Sequence, residues 1–502
     1  MSLQVFNTLS RRVEEFAPQV AGRVSMYTCG PTVWNYAHIG NFRTFLFEDL
    51  LRRWLEQSGY EVLHIMNLTD VDDRIIREAA ARGTSIREFT EPFAQAFHED
   101  REYLRIRPAH DYPRATDYIA PMIRLVERLL ASGVAYRGED GSVYFAIAKF
   151  PAYGELSQLD RRELKTGASE RVSADEYAKE DARDFVLWKA ARPEDEAVGA
   201  AWDAPFGRGR PGWHLECSAM ALDLLAERWG TDVLDIHAGG VDLIFPHHED
   251  EIAQSCAFTG RPQFARYWLH AEFLNVQGAK MSKRFGNVTT PRDLRTDGVD
   301  PGAIRLLMFQ AHYRQKFDLT DEALGAAARG SQRIGEFGER LRQYTKTNGG
   351  SSNALASAAV DFRSAFAREM DADLNAPQAI GRLFDFITEG NRLMDQGAGG
   401  AAAALDAFAY AMGVLDVEPA PKARAILSTT HSETAERPAE EPPAAGGNRE
   451  AWALAWAGVR RSEKNRRNFS EADRIRDLLK SHGYEIRDNK DGTMEVRSIR
   501  QG

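Results

Sequence analysis

Cysteine is scarce in this sequence, and long uncharged apolar runs are missing. Only three of the 502 residues are cysteines, Cys29, Cys217 and Cys256. Thiols so few and so far apart cannot form a disulfide framework, and they are better interpreted as metal ligands, nucleophiles or small buried side chains. No apolar stretch of about 18 residues could cross a bilayer, and residues 1–16 lack the apolar core of a secretion signal. We therefore expect a cytoplasmic protein without a membrane partner.

Neither sign of charge dominates the composition. The net charge is −10, with 43% hydrophobic and 27% charged residues. This composition is typical of a globular protein, and the length predicts three or four domains. A negative total argues against a chain coated with nucleic acid, but it permits a local basic surface on a large enzyme.

Strand and helix patterns alternate near the N-terminus. An apolar strand candidate at 24–29 precedes Gly30 and a helical pattern from about 41 to 58. A second strand at 61–68 and a helix from about Val71 follow. This βαβ succession predicts an α/β fold with a Rossmann-type parallel sheet and nucleotide chemistry at the strand ends.

The rest of the chain divides by pattern and composition. The strand pattern weakens where helical segments alternate with loops containing Gly and Pro, and it resumes at 233–237. We predict a Rossmann-type domain in two halves (1–107 and 212–275), a connective insertion (108–211), a lysine-loop region (276–325), a helical bundle (326–415), a disordered linker (416–448) and a small C-terminal domain (449–502).

Two separated motifs suit the binding of phosphate. His38 and Gly40 lie between a strand and the first turn of a helix, where backbone N–H groups and the helix dipole stabilise anions. A histidine that only caps the helix explains this motif alone equally well. About 240 residues later, Lys280 and Lys283 lie in the loop Lys-Met-Ser-Lys-Arg. Two ammonium groups there can stabilise departing pyrophosphate, although a basic loop by itself is usually a solvated surface.

A third motif, Pro-His-His-Glu-Asp-Glu, suits a metal ion. Its i,i+4 spacing puts His247 and Glu251 on one helix face. A charged helix start is the alternative, because acidic groups stabilise a helix N-terminus. Cys29 and Cys217 would complete a donor set suited to Zn²⁺. Spacing alone leaves open whether four such distant positions meet.

Together these motifs resemble the HIGH and KMSKS signatures of class I aminoacyl-tRNA synthetases. They stand here as His-Ile-Gly-Asn, with Asn41 as the last residue, and Lys-Met-Ser-Lys-Arg. The cysteinyl-tRNA synthetase family also has a strand-end cysteine before Gly-Pro-Thr, a Gly-Trp-His-x-Glu-Cys-Ser segment and a Pro-His-His-Glu-x-Glu helix. All three are present, and the resemblance spans almost the whole chain apart from the linker.

The resemblance implies that L-cysteine is activated with ATP and Mg²⁺ and transferred to tRNA(Cys) by a monomer. It implies one zinc ion per chain, held by Cys29, Cys217, His247 and Glu251. It places Thr32, Thr69 and Trp213 around the amino acid. It assigns catalysis to His38, Asn41, Lys280 and Lys283, and ATP binding to Gly40, His237, Gly239, Gly240, Asp242 and Lys283.

The segment that contains His237, Gly239, Gly240 and Asp242 also carries a signal of its own. A strand followed by glycines and a carboxylate suits close approach of a nucleotide and a bond to ribose hydroxyls. A plain strand and turn is the alternative.

The C-terminal residues favour RNA as a partner. Five basic side chains crowd into residues 460–467, followed by Phe469 and a helical pattern at 471–480. A solvated helix face is the alternative. The resemblance makes Phe469, Asp473 and Asp488 candidates for reading anticodon bases.

Three other functions compete with this interpretation. A cysteine ligase that acylates an amino sugar shares the catalytic motifs, but its relatives lack a separate anticodon-binding domain. A zinc-stabilised RNA-binding protein would need no lysine pair. A nucleotidyltransferase without tRNA is disfavoured by the helical bundle and the basic tail. Cys256, in an apolar helical pattern, is predicted to be a core residue.

Overall fold

The computed structural model divides into two compact units. The first runs from Met1 to Pro419 and the second from Ala420 to Gly502. The residues that the structure describes are 2–158, 184–276, 279–280, 289–346, 352–420, 424–427, 438–442, 449–466, 468–488 and 494–498.

The first unit contains alternating strands and helices. Its strands are β1 (Gln4–Asn7), β2 (Arg12–Glu15), β3 (Arg23–Thr28), β4 (Glu61–Met66), β5 (Ala135–Arg137), β6 (Val143–Phe145), β7 (Phe185–Ala190), β8 (Gly209–Pro211), β9 (Leu234–Gly240), β10 (Ala265–Ala271), β11 (Leu274–Val276), β12 (Ala279–Lys280) and β13 (Phe317–Leu319). Its α-helices are α1 (Ile39–Gln57), α2 (Asp73–Arg82), α3 (Ile86–Tyr103), α4 (Ile119–Ala131), α5 (Pro193–Ala197), α6 (Trp213–Trp229), α7 (Glu249–Thr259), α8 (Pro291–Thr296), α9 (Pro301–Phe309), α10 (Asp321–Thr345), α11 (Ala354–Asp371), α12 (Ala376–Asp395) and α13 (Ala401–Leu415). None of the described helices is both long and apolar enough to span a membrane.

Strands β3, β4, β9 and β10 form the predicted parallel sheet. Their order is β10, β9, β3, β4, and each neighbouring pair is parallel. Strand β3 is buried from Val24 to Thr28, as expected of a parallel strand covered on both faces. The carboxyl ends of parallel strands meet at one edge, and Cys29 follows β3 at this edge.

Helix α1 connects β3 to β4 and completes the predicted βαβ unit. Its apolar residues recur at helical spacing, and Phe42, Leu46 and Leu50 are buried against the sheet side of the core. The helix contacts β4 and β9. Because it begins at Ile39, after the carboxyl end of β3, its N-terminus lies near the carboxyl edge of the sheet.

The predicted insertion contains an antiparallel sheet that the sequence pattern does not indicate. Strands β5, β6, β7 and β8 pair in that order, each antiparallel to the next. Three of these strands have only three residues each, too few for an alternating pattern to stand out. Phe145 and Trp188 from this sheet share a core with Met122 of α4 and Leu215 of α6.

Two further structures follow the parallel sheet. Strand β11 pairs antiparallel with β12 and parallel with β13. Helices α10 to α13 form the predicted bundle, in which the rings of Phe362 and Phe386 stack with centroids 4.5 Å apart. The bundle therefore has an aromatic core.

The second unit is small and mixed. Helices α14 (Arg449–Asn465) and α15 (Phe469–Ser481) pack around Trp456 and Ile475. Strand β16 (Met494–Ser498) pairs antiparallel with both β14 (Arg424–Leu427) and β15 (Tyr484–Asp488). Strand β14 falls within the predicted disordered linker, so that prediction is wrong for these four residues. Their backbone pairs with a strand about 70 residues later, which local composition cannot reveal.

Candidate metal centre and nucleotide site

Four sulfur, nitrogen and oxygen donors meet at the carboxyl edge of the parallel sheet. They belong to Cys29, Cys217, His247 and Glu251, and all four donor atoms lie within 4.8 Å of one another. The two Sγ atoms are 3.9 Å apart, and His247 Nε2 lies 2.9 Å from Glu251 Oε1. All four residues are buried. The structure thus brings together the four positions whose convergence the spacing left open, and we call them the metal cluster.

Different elements hold the four donors. Cys29 directly follows β3, Cys217 lies near the start of α6, and His247 and Glu251 flank the start of α7. A side chain at Gly30 would overlap the carbonyl oxygen of Asn67. Glycine at this position therefore lets the end of β3 pack closely against the chain leaving β4, which fixes Cys29 at the sheet edge.

The electrostatics of the metal cluster favour the anionic forms of Cys217 and Glu251, whereas burial and the neighbouring Cys217 raise the pKa of the Cys29 thiol. A hydrogen bond from Cys29, helped by His247, lowers the pKa of Cys217 to about 6 although the thiol is buried. Burial by itself raises the pKa of Glu251, but His237 and His247 outweigh it and lower that pKa to about 2. Burial by itself lowers the pKa of His247, and Glu251 reverses this effect and raises it to about 10. The chemistry of this donor set fits a bound cation.

Two more histidines reach the metal cluster. His237 Nε2 lies 3.0 Å from Glu251 Oε2, and His248 Nε2 lies 3.3 Å from Cys29 Sγ. The donor atoms of Cys29, His237, His248 and Glu251 also lie within 4.8 Å of one another. His237, predicted to bind ATP, is therefore buried beside candidate metal ligands. His248 is absent from the predicted set, although the His-His pair in its motif offered the signal.

Side chains of α6 pack against His247. The ring of Trp213 stacks on the His247 imidazole with centroids 4.3 Å apart. His214 Nδ1 lies 3.1 Å from His247 Nδ1, and His214 Nε2 lies 3.3 Å from Asp250 Oδ2. Because a partner at Nδ1 fixes the orientation of an imidazole, His214 directs His247 Nε2 towards the cluster. Trp213, predicted to face the amino acid, contacts a residue of the metal cluster.

Thr32 and Thr69 lie side by side at the same edge. They form a parallel bridge in which Val33 N donates to the Thr69 carbonyl at 3.0 Å and Thr69 N donates to the Pro31 carbonyl at 3.1 Å. The Thr69 hydroxyl accepts from Asn67 Nδ2 at 3.1 Å. The two threonines thus belong to a fixed backbone platform that extends beyond β3 and β4.

His38 is the N-cap of α1. Its Nδ1 accepts from Asn41 N at 3.2 Å, while Asn41 Oδ1 accepts from His38 N at 3.1 Å. The next amide, Ile39 N, donates to the Thr289 carbonyl at 2.8 Å. His38 therefore caps the helix through its Nδ1, as the alternative interpretation of this motif expects. Gly40 lies in the first turn of α1. Thr289, just after the predicted lysine loop, is therefore hydrogen-bonded to the N-terminus of α1.

The glycine pair that ends β9 is tightly packed. A Cβ at Gly239 would lie 2.9 Å from a methyl carbon of Leu243, and one at Gly240 would lie 2.6 Å from Asp242 Oδ1. The same Gly240 position is 3.8 Å from Thr44 Oγ1 of α1. Asp242 therefore folds back beside α1, next to the helix that carries the His-Ile-Gly-Asn motif.

The structure describes only one of the two lysines predicted to act on ATP. Lys280 is the last residue of β12 and pairs through its backbone with Asn275 of β11, whereas Lys283 lies outside the described residues. Nearby, the buried guanidinium of Arg43 on α1 donates to the carbonyls of Glu272 at 3.1 Å and Gln315 at 2.7 Å. Arg43 thus ties α1 to the chain that precedes β11 and to the chain that precedes β13. A charged residue inside a helical pattern gave no sequence signal of this role.

The predicted anticodon residues belong to the second unit. Phe469 opens α15 and 59% of it is exposed. Asp473 lies one turn later, with its carboxylate 3.1 Å from Arg476 Nη2. Asp488 is the last residue of β15. Phe469 is thus an aromatic ring available to a partner.

Comparison with solved structures identifies the class. A methionyl-tRNA synthetase from Mycobacterium tuberculosis, in complex with methionyl-adenylate, covers 79% of this chain and 89% of its own, with a TM-score of 0.57 and 15% identity. A leucyl-tRNA synthetase complex from Agrobacterium radiobacter covers 80% of this chain and 85% of its own, with a TM-score of 0.59 and 11% identity. The fold is that of a class I aminoacyl-tRNA synthetase.

Sequence comparison narrows the class to one family. The family model "tRNA synthetases class I (C) catalytic domain" matches residues 15–329, and the "DALR domain" model matches residues 365–417. A cysteine--tRNA ligase from Chlamydia pneumoniae is 43% identical over 98% of this chain and 97% of its own length. One from Solibacter usitatus is 43% identical over 98% and 99%. The chain belongs to the cysteine--tRNA ligase family, which confirms the resemblance drawn from its motifs.

Proposed function

We propose that this protein activates L-cysteine with ATP and transfers the cysteinyl group to tRNA(Cys), with one zinc ion selecting the thiol. The observation that carries the proposal is the metal cluster of two thiols, an imidazole and a carboxylate at the carboxyl edge of the sheet, where β3 leads into the helix capped by His38. The family and the motif residues around this cluster support it. We further propose that ATP enters as its Mg²⁺ complex and that the protein acts as a cytoplasmic monomer.

Selection against serine is the reason to place a metal in the amino-acid pocket. Cysteine and serine are near-isosteres, and an apolar pocket separates their binding free energies by only about 1–3 kcal/mol, or about 10- to 200-fold in preference. Bound zinc would offer the substrate thiolate a coordination bond that the serine hydroxyl, a far weaker ligand, cannot match. Cys29, Cys217, His247 and Glu251 would hold the ion, and Trp213 would present an apolar face to the substrate.

The other predicted residues act on ATP and its products. The substrate carboxylate attacks the α-phosphate, so that a new carboxyl–phosphate bond forms as the bond to pyrophosphate breaks. His38 and Asn41, at the N-terminus of α1, would bind the phosphates, and Gly239, Gly240 and Asp242 would bind the ribose. The charges of Lys280 and Lys283 would stabilise the leaving pyrophosphate. A terminal ribose hydroxyl of the tRNA then takes the cysteinyl group and releases AMP.

The domain roles follow the same scheme. Residues 1–107 and 212–275 would form the catalytic domain, with 276–325 as the lysine-loop region. Residues 449–502 would bind the anticodon, with Phe469, Asp473 and Asp488 as the contacts to bases. The exposed ring of Phe469 and the basic residues that precede it support this assignment.

The test is the transfer of labelled cysteine to tRNA by the zinc-loaded protein with ATP, beside a serine control. We expect cysteine-specific charging, with a preference over serine above the roughly 200-fold limit of an apolar pocket. A preference within about 10- to 200-fold would contradict selection by the metal. Cysteine-dependent pyrophosphate exchange without charging would contradict tRNA as the acceptor.

A further inference from the structure

Glu216 is a buried acid beside the metal cluster that the proposed mechanism does not use. It precedes Cys217 on α6, and only 1% of it is exposed. Among the described residues, neither of its carboxylate oxygens has a hydrogen-bond partner of good geometry. Leaving such a group unsatisfied is unfavourable, so a buried acid of this kind indicates a missing partner.

The surroundings of Glu216 are acidic. After burial itself, the groups that act most strongly on its carboxyl are Cys217, Asp70 and Asp72, followed by the hydroxyl of Thr69. Within the described part of the chain, no positively charged side chain belongs to that set. Burial and these acidic neighbours raise the pKa of Glu216, so its ionised form is unfavourable unless a cation binds beside it. The buried carboxyl group, whose two oxygens lack well-oriented partners among the described residues, therefore fits a cationic partner from outside the protein.

We propose that the Glu216 carboxylate binds the α-ammonium group of the amino-acid substrate and so selects amino acids over simple thiols. The inference rests on the proposed function, because it requires the substrate thiol to lie at the metal cluster. In cysteine, two carbon atoms separate the sulfur from the nitrogen. Glu216 and Cys217 are neighbours on one helix, and the hydroxyl of Thr69, a residue predicted to contact the amino acid, acts on the Glu216 carboxyl.

The test compares two ligands that differ only in the ammonium group. Cysteine and 3-mercaptopropionate share the thiol and the carboxylate, and their dissociation constants are measured by equilibrium binding to the zinc-loaded full chain. In Glu216→Gln, which keeps the size and removes the charge, the preference for cysteine should fall about 10- to 100-fold. Glu216→Asp keeps the charge and should retain most of that preference.

Glu48→Gln is the matched control. Glu48 lies on α1, is buried, and likewise has two carboxylate oxygens without a hydrogen-bond partner of good geometry among the described residues. Its substitution should change the ratio of the two dissociation constants less than twofold. Equal weakening of both ligands in Glu216→Gln, loss of its zinc, or the same change in Glu48→Gln would overturn the proposal. If the unmodified protein fails to bind cysteine, the proposed function itself fails, whereas a normal preference in Glu216→Gln overturns only this inference.

Discussion

Two buried polar clusters in the first unit differ in whether the chain alone completes them. In one, Asp49 of α1 accepts hydrogen bonds from Arg53 Nε and Arg305 Nη2, both at 2.8 Å, and from Arg107 N at 2.9 Å. The remaining nitrogens of Arg305 donate to the carbonyls of Leu415 and Leu104. Every charge of this cluster, which we call the arginine cluster, thus meets a partner within the protein.

The metal cluster and its neighbour Glu216 are different. Two cysteines and two glutamates lie together with histidines as their only nearby basic groups among the described residues. The arginine cluster joins α1 and α9 to the end of α13, so its work is structural. The metal cluster and Glu216 bring four acidic groups together without an arginine or lysine partner among the described residues, which fits a ligand from outside. A buried polar cluster whose charges all have partners within the protein is structural, whereas a cluster with unpaired acidic groups is a candidate functional site.

The largest difference between the two clusters is expected when a donor of the metal cluster is removed. We expect Cys217→Ala to lose nearly all of its zinc and to activate cysteine more than about 100-fold more slowly, because even outer-shell partners of a metal contribute about 10- to 100-fold. Zinc per chain is measured by mass spectrometry, and activation by ATP–pyrophosphate exchange.

Cys256→Ala provides the matched control for that substitution. Cys256 lies on α7 and is buried in the apolar core, as its sequence pattern predicted. Its substitution should leave the zinc content at that of the unmodified protein. Full zinc in Cys217→Ala, or equal loss in both variants, would contradict the assigned ligand set.

The arginine cluster should respond in stability rather than in metal content. Burial by itself raises the pKa of Asp49, but Arg305 and Arg53 outweigh it and hold the pKa below its ordinary value. Asp49→Asn would leave the buried Arg305 without its paired carboxylate, and Arg53 with Asp416 alone. This loss lowers the free energy of unfolding by about 3–5 kcal/mol. Calorimetry measures this loss, and the zinc content of the folded protein should not change.

Glu56→Gln is the control on the same helix. Glu56 pairs with Arg52 at 2.7 Å and also with Arg107, and 27% of its side chain is exposed. Partly solvated pairs contribute at most about 1 kcal/mol. A loss in Asp49→Asn no larger than that in Glu56→Gln would remove the distinction between a complete buried cluster and an ordinary ion pair.

Sequence reasoning predicted the parts of this fold that are local. The βαβ unit and the bundle were predictable because their apolar periodicity spans ten residues or more. The insertion sheet was missed because its strands are short, and β14 was missed because its partner is distant along the chain. Predicted element ends also shift by one to three residues, as at β3, where the structure ends at Thr28.

Residues of the candidate site could be predicted from the sequence where they belong to a recognisable motif. The convergence of Cys29 with Cys217 required knowledge of the family, because about 190 residues separate them. Arg43 and Glu216 were missed for a common reason. Their roles depend on which partners surround a buried polar group, and a single sequence does not record those partners.

A smaller effect is expected from a residue that only orients the metal cluster. His214 contacts His247 Nδ1, and its own Nε2 is held by Asp250. His214→Ala should weaken zinc binding about 10-fold, at the low end of outer-shell effects, without abolishing it. Competition with a chromophoric chelator measures the affinity.

His98→Ala is the control, since His98 packs on Tyr112 of the first unit. Its zinc affinity should equal that of the unmodified protein. A complete loss of zinc in His214→Ala would instead make His214 a direct ligand, and an unchanged affinity would show that His247 needs no orienting partner.

In the second unit, the expected partner is RNA rather than a metal, and the predicted effect is the smallest. Phe469→Ala removes an exposed ring, so the fold should persist while base stacking worth about 1–3 kcal/mol is lost. The kcat/KM for tRNA charging should fall about tenfold, and cysteine-dependent pyrophosphate exchange should not change. Val360→Ala, at a similarly exposed apolar residue of α11, should alter neither rate. If Phe469→Ala slowed pyrophosphate exchange as much as charging, Phe469 would act through the catalytic unit, and its role in reading the anticodon would be wrong.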